Sequence, residues 1–97
     1  MNISDLLDDK ELLCQLAEEA AELSQAALKL RRAIDGKNPT PKTISNCEVS
    51  LDEEIADVKL CLDELGFYSE DHLSIQFDIM TTKRKRWLSR LLARKDV

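Results

Sequence analysis

Apolar residues recur at helical spacing through Leu12, Leu16, Leu23, Ala27, Leu30 and Ile34, which together trace one face of an α-helix. The run closes at Gly36, a residue that readily takes the left-handed conformation found just past helix ends. The pattern predicts a first helix over about residues 9–35. Upstream, Ile3, Leu6 and Leu7 leave room for a short extra turn beginning at Ser4. From Gly36 to Val49 the segment GKNPTPKTISNCEV holds two prolines, an Asn-Pro step and no sustained period, so it reads as a loop with space for one short turn. Ser50 followed by Glu53 forms a capping-box pattern, because hydroxyl and carboxylate reciprocally satisfy free backbone amides. A second helix is therefore expected over about 51–65, ended by Gly66. After the turn GFYSED, apolar positions at Leu73, Phe77, Met80, Trp87, Leu88, Leu91 and Leu92 outline a third helix over about 70–94.

Composition agrees with this helical plan and limits it. Ninety-seven residues suffice for one compact domain, 1–97, and exclude a multidomain enzyme. With 43% hydrophobic and 34% charged residues the chain is a folded one, and with two glycines, two prolines and 4% aromatics it lacks the turn and strand formers of a β-sandwich. The expected fold is all-α: a helical bundle of three main helices plus short helices. In the second helix Leu60 lies opposite the stripe of Leu51, Ile55, Val58, Leu62 and Leu65, which leaves a second apolar surface. The bundle is accordingly expected to be completed by oligomerisation, as a homodimer or homotetramer.

No stretch matches the roughly 18 uninterrupted apolar residues that span a bilayer, and the acidic start MNISDLLDDKE is unlike a signal peptide. A cytosolic location with no membrane partner is expected. Three cysteines without CxxC spacing argue against a disulfide framework or zinc ribbon, and Cys14 and Cys61 are read as small packed hydrophobes. Net charge is unevenly placed. Residues 83–97 carry seven bases and one acid, 7 − 1 = +6, so residues 1–82 carry −5 − 6 = −11.

The acids are patterned. The octets LAEEAAEL (Leu16 to Leu23) and LDEEIADV (Leu51 to Val58) match position by position, pairing Glu18 with Glu53, Glu19 with Glu54, and Glu22 with Asp57. On a helical wheel Glu19 falls at the inner margin of its apolar stripe with Glu22 and Glu18 progressively further round, while Glu54 lies on the apolar side of the second helix and Asp57 at its edge. Acids three residues apart share a helix face, so two such pairs on antiparallel helices would form a cage of four carboxylates. Ionised carboxylates taken out of water need compensation, and neither octet contains a base. Convergent oxygen donors suit a hard divalent cation, Mg²⁺ first and Mn²⁺ next. The plain alternative is a pair of solvated acidic helix faces. The only histidine, His72, lies elsewhere, which separates the pattern from the Glu-x-x-His of di-iron bundles.

The motif EEAAE (Glu18, Glu19, Glu22) followed by EIAD (Glu54 to Asp57) resembles the EExxE and ExxD pair of the MazG-like all-α nucleoside triphosphate pyrophosphohydrolases, small bacterial and phage types above all. The likeness covers about residues 12–65 and, more loosely, the third helix, with a longer spacer between Glu22 and Glu54 than that family usually has. It implies magnesium-dependent hydrolysis of a canonical or non-canonical (deoxy)nucleoside triphosphate to monophosphate and pyrophosphate, at a site built by helices of an oligomer. It further implies Glu19, Glu22, Glu54 and Asp57 as metal ligands. Glu18 and Glu19 are both candidates for the catalytic carboxylate that orients or deprotonates water. Phosphoribosyl-ATP pyrophosphohydrolase shares this logic and is the enzymatic alternative. A non-catalytic helical oligomer or partner-binding module with a structural cation is the other.

Lys83, Arg86 and Arg90 share one face of the third helix, and Lys29 lies two turns beyond Glu22 on the first. Lys29, Lys83 and Arg86 are candidate contacts for the phosphate tail. The basic helix could instead serve nucleic acid, but the acidic body would repel that polymer and no base-reading motif is present, so no nucleic-acid partner is expected. Trp87 and Phe77 are expected in the core. Asn38, Pro39, Thr40 and Pro41 are expected to shape the loop, with a lid over substrate as a further role.

Overall fold

The computed structural model describes residues 1–36 and 42–95. It is all-α, with a short 3-10 turn at Ile3–Asp5 and three long helices, α1 (Asp9–Asp35), α2 (Ile44–Glu64) and α3 (Glu70–Lys95). No strand occurs among the described residues. The chain divides into two compact units, Met1–Gly66 and Phe67–Val97.

In the first unit, α1 starts where its sequence satisfies the free amides of its first turn. The Asp8 carboxylate accepts from the Glu11 amide at 2.8 Å, and the Glu11 carboxylate accepts from the Asp8 amide at 3.3 Å. The helix ends at Gly36, whose φ of 66° needs no Cβ to be accommodated and whose amide donates to the Arg32 carbonyl. These ends agree with the bounds expected from periodicity.

For α2 the start differs from expectation. The helix begins at Ile44, capped by Thr43, whose hydroxyl accepts from the Asn46 amide at 3.1 Å. Ser50 lies inside the helix, so the Ser50–Glu53 pair is not its cap. The stripe reaches further toward the N-terminus than the loop composition suggested, because Cys47 stands one turn before Leu51 and is buried to 2% exposure. The remaining loop residues Asn38, Pro39, Thr40 and Pro41, including any lid, lie outside the described residues.

Packing of α1 on α2 makes the core of this unit. On α1 the seam runs through Leu12, Leu16, Glu19, Leu23, Ala26 and Leu30, and on α2 through Cys47, Leu51, Glu54, Val58 and Cys61, all buried or half-buried. Both sequences step alternately by four and three residues, the spacing that keeps a helical seam facing its partner. Cys14 is exposed, not packed, because it lies off this seam, whereas Cys47 and Cys61 fill it. The N-terminal turn is tied to the far end of α2, where the Ser4 amide donates to Glu64 at 3.1 Å.

In the second unit, Ser69 caps α3 through its hydroxyl, which accepts from the His72 amide at 3.3 Å. The Gln76 side-chain amide donates to the Phe67 carbonyl at 3.0 Å, and the Phe67 and His72 rings lie 4.8 Å apart. Glu70 and Asp71 in the first turn and Arg94 and Lys95 in the last complement the helix dipole. Phe77 and Trp87 are 66% and 63% exposed, contrary to the core role expected of them. A helical stripe is buried only against another surface, and periodicity cannot say whether one chain supplies it.

No described helix is long and apolar enough to cross a membrane.

Candidate metal centre

Two seam positions are not apolar. Glu19 on α1 and Glu54 on α2 stand mid-seam, where the 4-3 spacing would otherwise place aliphatic side chains. One turn along, at the rim, stand the exposed acids Glu22 and Asp57. One carboxylate oxygen from each of Glu19, Glu22, Glu54 and Asp57 lies within 4.8 Å of the other three. These are the four residues expected as ligands from the paired octets, and antiparallel packing of α1 on α2 brings them together. Each helix supplies one half-buried and one exposed acid.

The environment of the four is short of positive charge and of donors. The Gln15 side-chain amide donates to Glu19 Oε1 at 2.8 Å, one turn earlier on the same helix. Glu19 Oε2 and Glu54 Oε2 are buried and have no hydrogen-bond partner among the described residues. Among the described residues the ion pair present is Arg31 with Asp35 at 3.7 Å, so no base pairs with any of the four acids. At Glu19 the Gln15 hydrogen bond lowers the carboxyl pKa, but burial and the neighbouring charges of Glu22 and Asp57 outweigh it and the net shift is upward.

A hard divalent cation fits this donor set: four carboxylates, two with unsatisfied buried oxygens, and no imidazole. Softer metals fit less well. Cys61 is the nearby sulfur, and burial, then the charges of Glu19 and Asp57, push its thiol pKa up.

Two grooves adjoin the cluster. One, of about 350 Å³, is bordered by Glu22 and Glu54 and also by Gln25, Lys29, Lys42 and Ser50. Lys29, expected as a phosphate contact, therefore opens on the same space as two of the acids. Lys42 borders that groove too, just before the N-cap Thr43, a place that the expected loop over 36–49 did not single out. Gln15 was also missed, though its place one turn before Glu19 was a readable signal. The second groove, of about 220 Å³, lies on the Glu19 and Asp57 side.

Glu18 is exposed and outside the four-carboxylate group. Lys83 and Arg86 are exposed on α3 in the second unit, where Arg86 borders a shallow depression with Lys85, Ser89 and Arg90. Comparison of the chain with known protein families, with curated proteins and with solved structures finds no match. The fold and site define the protein as an all-α chain whose α1–α2 pair carries a four-carboxylate cluster.

Proposed function

We propose that the chain is a magnesium-dependent nucleoside triphosphate pyrophosphohydrolase of MazG-like type, with Mn²⁺ as a substitute ion. The observation that carries this reading is the four-carboxylate cluster, because among the described residues two of its oxygens are buried without hydrogen-bond partners and no base forms an ion pair with it. Such an arrangement is costly unless a cation compensates it. Glu19, Glu22, Glu54 and Asp57 would hold the ion, which when bound supplies charge neutralisation for phosphate oxygens and acidifies water.

The chain's own residues do the rest. Lys29 and Lys42 border the groove beside Glu22 and Glu54 and hold the negative phosphate tail there. Lys83 and Arg86 are proposed as further anion contacts on chemical grounds alone. A carboxylate orients the attacking water and takes its proton, with Glu18 and Glu19 the candidates. Water adds at the α-phosphorus, the α–β anhydride bond breaks, and pyrophosphate leaves with the electron pair.

A homodimer or homotetramer is proposed, in which apolar surface such as Leu60 is covered by a second copy; a monomer in light scattering at micromolar concentration would refute this. No nucleic acid and no membrane enters the proposal, and the cytosol is the compartment proposed.

The test is a panel of ribo- and deoxynucleoside triphosphates with magnesium, scored for monophosphate plus pyrophosphate. Glu54→Gln should abolish turnover with the fold intact, and full activity in that variant refutes the ligand assignment. Faster turnover of phosphoribosyl-ATP than of the common triphosphates would favour that substrate instead. One observation favours a second reading: Glu19 and Glu54 sit in the seam itself, where a cation would staple α1 to α2 without chemistry. Metal-dependent melting with no product from any nucleotide would select it.

A further inference from the structure

The apolar stripe of α3 is open to solvent. Leu73, Phe77, Met80, Trp87 and Leu91 are each between 42% and 66% exposed. With Arg84 in the one vacant place, residues 73, 77, 80, 84, 87 and 91 step alternately by four and three. That is the spacing of the α1–α2 seam, and it keeps one face of a helix turned toward a partner helix along its whole length. Continued to the helix ends, the same steps take in Glu70 and Arg94. A stripe of this length and regularity suits a long helix lying alongside better than a small ligand.

Charge along α3 is divided at its middle. Residues 70–82 hold three acids, Glu70, Asp71 and Asp78, and no Lys or Arg, while residues 83–95 hold seven bases and no acid. Two such helices side by side in parallel would set seven bases against seven. Antiparallel, each basic half lies against an acidic half, and this is the arrangement a twofold axis generates, in which residue i meets j and j meets i. The stripe also sets the register. With Leu73 opposite Leu91, Phe77 falls opposite Trp87, Met80 opposite Arg84, and Glu70 opposite Arg94 at both ends. A slip of one heptad would put Leu73 against Arg84 in one direction and past the helix end in the other. Arg84 is the one charged member between the ends, a kind of position that costs stability and fixes register.

We infer that α3 pairs antiparallel with α3 of a second copy of this chain, Phe77 of each packing on Trp87 of the other. The inference rests on the oligomer proposed above and not on the hydrolysis, and it gives that oligomer an interface separate from the Leu60 surface. It also accounts for the exposure of Phe77 and Trp87 in the single chain, because their cover comes from the second copy.

The experiment is sedimentation equilibrium of the full chain at micromolar concentration, with cross-linking as a second arm. Trp87→Glu should halve the mass of the assembly, whereas Ile75→Glu, an exposed position on the opposite side of α3, should leave it unchanged. For cross-linking, Cys14→Ser first removes the exposed native thiol. In that background the double variant Leu73→Cys, Leu91→Cys should give a disulfide-linked dimer on mild oxidation, because the two positions are about 27 Å apart along one helix and can be bridged only between copies. Each single variant should stay unlinked, since an antiparallel pair holds like residues the same distance apart. Linked single variants, an unlinked double variant, or an unchanged mass in Trp87→Glu overturns the inference, and an oligomeric wild type then leaves the oligomer reading standing on the Leu60 surface. A monomeric wild type overturns both. If that monomer shields Trp87, the sole tryptophan, from acrylamide, the stripe is covered by its own chain, and if it pellets with phosphatidylserine vesicles, by a lipid surface. Turnover of nucleotides bears on the hydrolase reading alone.

Discussion

Replacing Glu54 by Gln should move the protein's stability in opposite directions with and without magnesium. Glu54 and Asp57 bring carboxylate oxygens within 4.8 Å of each other. Two unit charges at that distance repel by about 0.9 kcal/mol in water and about 3.5 kcal/mol at an effective dielectric constant of 20. Half-exposure places the real cost near the lower figure. The amide removes this repulsion, and its N–H₂ group donates to a neighbouring carboxylate, so metal-free Glu54→Gln should be more stable by about 1 kcal/mol. For a domain of this size that is a rise in Tm of about 4–8 °C. With magnesium the sign reverses, because one of four anionic donors is gone. An ion at a hundredfold excess over its Kd stabilises by about 2.7 kcal/mol, and a hundredfold loss of affinity would cut that to about 0.4 kcal/mol at the same concentration. Thermal unfolding followed by circular dichroism, in chelator and in magnesium, reads both effects. A variant that melts lower than wild type in chelator, and gains as much from magnesium as wild type does, would show that the four acids act as separate surface groups and would refute the cluster as a cation site.

Other outcomes follow from the same geometry. Because the Glu19 carboxyl is raised, with burial and the charges of Glu22 and Asp57 outweighing the Gln15 hydrogen bond, the folded state holds that proton more tightly than the unfolded chain. Metal-free stability should therefore fall as pH rises above the ordinary carboxylate range, and magnesium should shrink the fall; urea midpoints between about pH 4 and about pH 7 measure it. Thr43→Ala should cost about 0.5–2 kcal/mol and loosen amide protection at the start of α2, whereas Ser50→Ala, within the helix, should not open that turn. Leu12→Ala, at a site only 2% exposed, should cost about 2–5 kcal/mol in urea unfolding, against about 0.5 kcal/mol or less for Leu28→Ala at 50% exposure. A thiol reagent should label Cys14 at once and reach Cys47 and Cys61 only as the helix pair opens.

Much of this was readable in the chain itself. The extent of α1 follows from the spacing of Leu12 through Ile34 and from Gly36, and that of α3 from the spacing of Leu73 through Leu92, because periodicity and helix ends are local properties. The spacing of Glu19 with Glu22 and of Glu54 with Asp57 fixes each pair on one helix face in the same way. The start of α2 was not so legible. Two prolines and a plausible cap at Ser50 masked a helix held by Thr43 and anchored by Cys47, whose burial depends on α1. Periodicity names a face but not its partner. Only packing of the whole seam decides that residues 19 and 22 meet residues 54 and 57, that Lys29 and Lys42 border one groove with Glu22 and Glu54, and that two glutamate oxygens are closed off from water. Those relations depend on the apolar contacts of Leu12, Ala26, Cys47 and Cys61 being buried together, a non-local condition that no single segment carries.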